Sequence, residues 1–186
     1  MGERITQTDQ NLPKFVMTGE KMTIDKSKVT IIIPVFNEEK YIEGVINSLI
    51  NQDWKGKIEI IVVDGNSTDN TCKIIRQMMN KLPKRISIKI LNNPQRFIPI
   101  SLNIACKQAT SDIIIRIDGH TFAPSNFISE IVNALEEIDY NGIVGGRLLI
   151  QSASSSAVAK AIEIGVSHPL GVGNALYRTT KDRPLS

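Results

Sequence analysis

Asp118 and His120 are separated by a single glycine at the end of an apolar run. In a turn after a strand, that spacing lets a carboxylate and an imidazole approach one cation. A carboxylate suits Mg²⁺ or Mn²⁺, and an imidazole tilts the choice toward Mn²⁺ or a later metal. Gly119 between them would let the backbone come close to a phosphate. The same spacing also fits an aspartate that closes a turn beside a surface histidine, so the residues alone leave both readings open. Two further polar clusters stand in equivalent places. One is Pro34, Val35, Phe36, Asn37, Glu38; the other is Asp64, Gly65, Asn66, Ser67. Asp64 could accept hydrogen bonds from a base or ribose, or serve the turn. At least one of Ser67, Thr68, Asp69 and Thr71 is expected to cap the helix that follows.

The elements that must position these clusters read as an alternation. Residues 29–36, VTIIIPVF, form a continuous β-branched run, as expected of a strand buried on both faces. Tyr41, Ile42, Val45, Ile46, Leu49 and Ile50 then repeat at helical spacing, with Glu38 and Glu39 expected in the first turn. Residues 57–64 and 85–91 read as the second and third strands, with a helix carrying Ile74, Ile75, Met78 and Met79 between them. A helix over 98–109 presents Leu102, Ala105, Cys106 and Ala109. Residues 112–118 are the fourth strand. Pro124 suits the start of a helix through Phe127, Ile128, Ile131, Val132 and Leu135. A fifth strand over 142–150, bent at Gly145 and Gly146, and a small-residue helix over 156–166 complete the series. This is the pattern of a doubly wound α/β sheet, mostly parallel, with helices on both faces. Residues 1–28 lack any period and are expected to be a flexible tail, leaving 29–186 as one domain. In open parallel sheets ligands bind at the carboxyl ends of strands. The three polar clusters all fall there, which points to one shared cleft.

Composition narrows the classes. At 186 residues, with 41% hydrophobic and 22% charged, the chain can bury a core without metal or disulfide support. No apolar run approaches the roughly 20 residues of a membrane helix, and no signal-peptide core is present. The charge of +3 is scattered, which argues against dedicated nucleic-acid binding. Cys72 and Cys106 fall inside helical patterns without zinc spacing and read as reduced core thiols. No G-x-G-x-x-G follows the first strand, and neither G-x-x-x-x-G-K-[ST] nor G-x-S-x-G occurs. A dinucleotide-dependent dehydrogenase, a P-loop NTPase and an α/β-hydrolase are thereby disfavoured. Trp54, near Gly56, is expected to pack rather than stack on a sugar. His168 and Arg147 read as structural and surface residues, and the 156–166 helix as core rather than membrane docking.

VTIIIPVFNEEKYIEGVINSLINQ, IEIIVVDGNSTDNT and IIIRIDGHT, in that order, resemble a family 2 glycosyltransferase of the GT-A fold over about residues 29–178. NPQRFIPISLNIA, IDGHT and SHPLGVGNALYR look most like the succinoglycan-type exopolysaccharide enzymes. The resemblance implies a nucleotide-diphosphate sugar donor, UDP-linked by preference, and a divalent metal, Mn²⁺ or Mg²⁺. It places Pro34, Phe36, Asn37 and Glu38 along the base and ribose, and Asp64, with Ser67 beside it, facing the uracil. Arg96 and Asn103 would stand near the donor. Asp118 matches the first acid of the family's D-x-D element, and His120 stands where its last acid usually stands. The implied metal ligands are therefore Asp118 and His120. The implied reaction is inverting transfer to a saccharide or lipid-linked saccharide acceptor. The implied place is the cytoplasm, at the inner face of the plasma membrane, with peripheral membrane association.

One departure is larger. The family's catalytic base belongs to an acidic motif after the glycine-bearing segment, and neither Asp182 nor Glu163 sits in that context. No catalytic base is assigned. The expectation is a C-terminally truncated GT-A domain with uncovered apolar surface, prone to self-association. The alternative is a nucleotide-sugar-binding fragment without transfer activity. A nucleotidyltransferase would want a glycine-rich, basic loop after the first strand, where PVFNEEK is acidic.

Overall fold

The computed structural model describes residues 23–146 and 156–167. Among the described residues four parallel strands make the sheet: β1 (Lys28–Val35), β2 (Lys57–Asp64), β3 (Ile86–Asn92) and β4 (Ile113–Arg116). Their spatial order is β3-β2-β1-β4. β1 and β2 are central, so both of their faces are covered. Ile31, Ile33, Ile60 and Val62 point to one side, and Ile32, Ile61 and Val63 to the other, all at most 1% exposed. Each such side chain contributes about 1.5–3 kcal/mol over its exposed state. This two-sided burial is why the sequence runs apolar without alternation. β3 and β4 lie at the ends of the four-stranded sheet and do alternate: Ile113 and Ile115 are buried while Ile114 and Arg116 are exposed.

The helices α1 (Ile42–Ile50), α2 (Thr71–Met79), α3 (Ile98–Gln108) and α4 (Phe127–Glu137) divide between the faces. Ile42, Val45, Ile46 and Leu49 of α1, Ile75 of α2, and Ile128, Ile131 and Val132 of α4 form the larger core with one sheet face. Among the described residues α3 covers the other, packing Ala105, Leu102, Ile104 and Ala109 on Ile32, Ile61 and Val63. Chain direction reverses at β1: successive crossovers run outward to β3, and the next returns past β2 and β1 to β4. That reversal opens a crevice between the carboxyl ends of β1 and β4.

Polar side chains lock the layers. Buried Gln52 donates from Nε2 to the carbonyls of Ser48 (3.0 Å) and Pro124 (2.6 Å), and its Oε1 accepts the Ile128 N–H (2.9 Å). One amide thus joins the end of α1 to the start of α4. Arg85 donates to the carbonyls of Trp54, Ile50 and Gln52, closing the end of α1. At the amino ends of the strands, Glu59 accepts from Thr30 Oγ1 (2.8 Å) and from Thr110 N–H (3.0 Å) and Oγ1 (2.9 Å).

Several expectations need correction. Structure begins before Val29: Ile24 packs on the core, and the Asp25 N–H donates to Asp112 Oδ2 at 2.9 Å. Glu38 and Glu39 precede α1, because the turn over 38–41 comes first, its Glu38 carbonyl accepting from Tyr41 and Ile42. Residues 142–146 form no strand, and the remainder of the expected fifth strand, 147–150, lies outside the described residues. Cys106 is exposed on α3 rather than in the core, since Ser101 and Ala105 take the packed face. Cys72 is half-buried and free, and burial, then the Asp64 carboxylate, pushes its thiol up to about 11. The helix α5 (Ala157–Ser167) forms as expected, but Val158 and Ile162 are exposed rather than in the expected core. Trp54 packs against the core at the amino end of β2, away from the crevice. Arg147, His168 and Asp182 lie outside the described residues.

Candidate functional site

The crevice between β1 and β4 holds a cleft of about 240 Å³ lined by Pro34, Phe36, Glu38, Arg96, Asp118 and His120, with Val35, Gly65, Ile98, Ser101 and Gly119 completing the wall. Six of the expected site residues therefore meet at one place. A larger hollow of about 530 Å³ lies beside it, behind Asp64, between α2 and β3. Asp64, Cys72, Arg76 and Asn92 line that hollow. The cleft, not the hollow, gathers the candidate cation ligands and the exposed cation Arg96.

Two loops form its floor, and they are laced to each other. Asn37 donates its N–H to Ser67 Oγ (3.0 Å), and its Oδ1 accepts the Thr68 N–H (2.8 Å). The Ser67 hydroxyl donates onward to Asp64 Oδ1 at 2.5 Å. Glu38 N–H donates to Thr71 Oγ1 (2.8 Å), Glu39 N–H to Asp69 Oδ2 (3.0 Å), and Asn70 N–H to Glu39 Oε2 (2.9 Å). Asp69 Oδ1 also accepts the Thr71 N–H, but the residue at the start of α2 is Asn70, which makes no side-chain cap bond, so none of the four expected residues is the cap. Asn37 and Asn66 both adopt left-handed backbone, with φ of 56° and 59°. Asparagine tolerates that region better than most side chains.

Arg96 shares that left-handed conformation, with φ of 62°, and lies over the Phe36 ring at 4.6 Å from its centroid. Asn93 holds its loop. Fully buried, it donates from Nδ2 to the Phe97 carbonyl (3.0 Å) and Ser101 Oγ (2.9 Å), and its own N–H donates to the Asp64 carbonyl (2.7 Å). The fourth strand's turn is fixed at both residues of interest. Arg116 donates to Asp118 Oδ1 from Nε (3.2 Å) and Nη2 (2.9 Å). His120 Nδ1 lies 2.9 Å from Glu38 Oε1, and its ring meets Tyr41 edge-on.

Placement of the remaining expected residues differs. Asn37 and Ser67 do not line the cleft; their polar atoms are used between the loops. Asp64 is 9% exposed and faces the neighbouring hollow, with Gly65 as its link to the cleft. Asn103 is exposed on α3 and lines neither space. Tyr41, expected on the apolar face of the first helix, instead stands just before α1, exposed and beside His120, while Asn93, Arg116 and Ser101 join the site unexpectedly. Only Asn93 carried a signal, as a polar residue before a proline at a strand end.

The Glycosyl transferase family 2 profile matches residues 30–175. The chain belongs to glycosyltransferase family 2. It is 28% identical to the succinoglycan biosynthesis protein ExoA of Rhizobium meliloti, over 88% of this chain and 48% of ExoA. The Staphylococcus aureus TarS 1–349 structure in complex with UDP superposes with a TM-score of 0.53 at 26% identity, over 67% of this chain and 40% of that 1–349 chain. The mannosyltransferase PcManGT from Pyrobaculum calidifontis, solved with GDP-Man and Mn²⁺, gives 0.52 at 28% identity, over 58% of this chain and 31% of that one. The family 2 chain is thus an α/β protein of the GT-A class, as its motifs implied. It spans about half the length of the curated relatives it matches first. Among the described residues, no helix is long and apolar enough to cross a membrane.

Among the described residues, no three His, Cys, Asp or Glu side chains gather to hold a metal by themselves. Asp118 and His120 nevertheless border one cleft, and a carboxylate with an imidazole is a donor pair that fits Mn²⁺ when a diphosphate completes the shell.

Proposed function

We propose that this family 2 chain binds a nucleotide-diphosphate sugar in the β1–β4 cleft and transfers the sugar to a saccharide or lipid-linked saccharide in making a surface or extracellular polysaccharide. The observation that carries this is the meeting of Phe36, Arg96, Asp118 and His120 on one cleft at the reversal of strand order. The base would lie beside Phe36 and Gly65, and the diphosphate toward the Asp118–Gly119–His120 turn. UDP is the favoured nucleotide, since TarS 1–349 is solved with UDP in a related fold; Asp64, which faces the neighbouring hollow and accepts from Ser67, supports the loop rather than the base. The GDP-Man of PcManGT makes GDP the comparison to run.

Asp118 and His120 would hold the divalent metal. When bound, it neutralises charge on the leaving diphosphate oxygens as a Lewis acid. Arg96 adds a positive charge on the opposite wall. Glu38 and the laced loops keep the floor in place without rearrangement, so the donor meets a preformed surface. The acceptor hydroxyl needs a carboxylate base, and none of the cleft residues is assigned to it. Inversion is the stereochemistry that direct displacement by the acceptor would give. The exposed Val158 and Ile162 of α5 leave apolar surface for self-association.

Calorimetric titration of UDP, UDP-glucose and GDP, with and without Mn²⁺, tests the reading on the wild type and Asp118→Ala. Metal-dependent binding that disappears in the variant is expected. A folded wild type that binds none of the three overturns it. Sugar transfer above a metal-free control, across a panel of acceptors, separates an enzyme from the binding-only alternative.

A further inference from the structure

We propose that Glu38 is a positioning residue: it holds the His120 ring in the tautomer with its proton on Nδ1, so that Nε2 is the nitrogen offered to the cleft. The inference rests on reading the Asp118–Gly119–His120 turn as the cation site.

Glu38 Oε1 lies 2.9 Å from His120 Nδ1. An ionised carboxylate only accepts hydrogen bonds, so a neutral imidazole in that contact must donate from Nδ1. Its lone pair is then on Nε2, the nitrogen that can ligate.

The two partners are not equally held. The Glu38 side chain is 18% exposed and that of His120 is 59% exposed. The Glu38 backbone is fixed at both ends, by its N–H to Thr71 Oγ1 and by its carbonyl to the N–H groups of Tyr41 and Ile42. Its stem passes beneath the turn it serves. A Cβ at position 119 would come within 2.9 Å of Glu38 Cγ and 3.1 Å of Val35 Cγ1. Gly119 is therefore the residue that lets the carboxylate reach His120. Tyr41 meets the ring edge-on, 6.5 Å between centroids, and limits its rotation. A fixed acid thus aims an exposed ring.

Hydrogen-bonding partners of this kind orient a metal-bound histidine and raise its basicity, and losing one typically costs about 10–100-fold in metal affinity. A single oriented imidazole beside one carboxylate also explains how a turn with one acid fewer than D-x-D could favour Mn²⁺ over Mg²⁺.

The test uses the whole chain labelled with ¹⁵N-histidine and a two-bond ¹H–¹⁵N correlation spectrum. It is recorded without metal near pH 8.5, above the ordinary imidazole pKa of about 6.5. The chain has two histidines, and the spectrum of His120→Gln assigns them. Wild type is expected to show His120 with the proton on Nδ1. Glu38→Met keeps the stem under Gly119 without an acceptor and is expected to show a tautomer mixture. Mn²⁺ titrated in the presence of UDP is expected to bind the variant about 10–100-fold more weakly. A wild-type His120 protonated on Nε2 overturns the proposal and requires no variant to fold. A folded Glu38→Met with the wild-type tautomer overturns it as well. If the tautomer is as expected but Mn²⁺ with UDP leaves the His120 signals unbroadened, the cation reading of the turn falls instead.

Discussion

Arg116 Nε and Nη2 lie 3.2 and 2.9 Å from the same oxygen of Asp118, Oδ1. The two residues are one pleat apart at the end of β4, where a period of two puts both side chains on one face. The acid proposed to bind a cation therefore already has a cationic neighbour within the chain. Both partners are well exposed, at 49% and 43%, so their pairing is worth no more than about 1 kcal/mol.

Arg116 and a divalent metal should compete for Asp118. Arg116→Gln is expected to tighten Mn²⁺ binding in the presence of UDP by up to about fivefold, the equivalent of that pairing energy. Titration calorimetry reads the change. Weaker binding in the variant would mean that Arg116 supports the diphosphate instead of opposing the metal.

Asn37 is expected to act on stability before it acts on ligand binding. Its left-handed backbone disfavours other side chains by about 1–2 kcal/mol, and its Oδ1 bond to Thr68 is worth about 1 kcal/mol. Asn37→Ala should lose about 2 kcal/mol. Asn37→Gly, which tolerates the backbone, should lose less. Urea unfolding of the pair checks this, and equal losses would remove the backbone part of the explanation.

Gln52 is the amide between α1 and α4. Gln52→Leu would leave the buried Ile128 N–H without its partner and remove donors from two carbonyls. A loss of about 2–3 kcal/mol is expected, since each orphaned buried group costs about 1–3 kcal/mol. A change below about 0.5 kcal/mol would place the variant among ordinary surface substitutions and refute the clamp.

Glu59 sets an acid limit. Burial alone would raise its carboxyl, but hydrogen bonds from Thr30 and Thr110, with Lys28 nearby, hold it below the usual carboxylate range. A depressed folded pKa contributes stability above the unfolded value, about 4.3, and that contribution is lost as pH falls through the folded value. Glu59→Gln should therefore be less stable than wild type at neutral pH, with the gap narrowing below about pH 4.3. Thermal melts across that window test it. A gap independent of pH would show that the carboxylate's charge plays no part.

Much of this protein was legible before folding. The β-branched runs at 29–36 and 57–64 fit two-sided core strands, because residues buried on both faces need no polar alternation and β-branched side chains favour strands. Helical spacing of Ile42, Val45, Ile46 and Leu49 likewise gives α1 its buried face. Polar residues directly after such runs must lie at carboxyl ends of strands, so the composition of the cleft followed from local pattern, and the three motifs carried the family resemblance.

Which polar residues face the cleft was not local. Strand order β3-β2-β1-β4 sets the end of β1 beside the end of β4, and that depends on pairing between segments far apart in the chain. It brings Glu38 to His120 across 82 residues and turns Asn37 and Ser67 toward each other instead of toward a ligand. Asn103 and Cys106 read as donor-side and core residues, yet Ser101 and Ala105 own the packed face of α3, leaving the other two exposed. Local sequence determines how each backbone segment folds and which type of group it carries. Only packing decides what that group meets, because hydrogen bonds between loops depend on distances that no single segment contains.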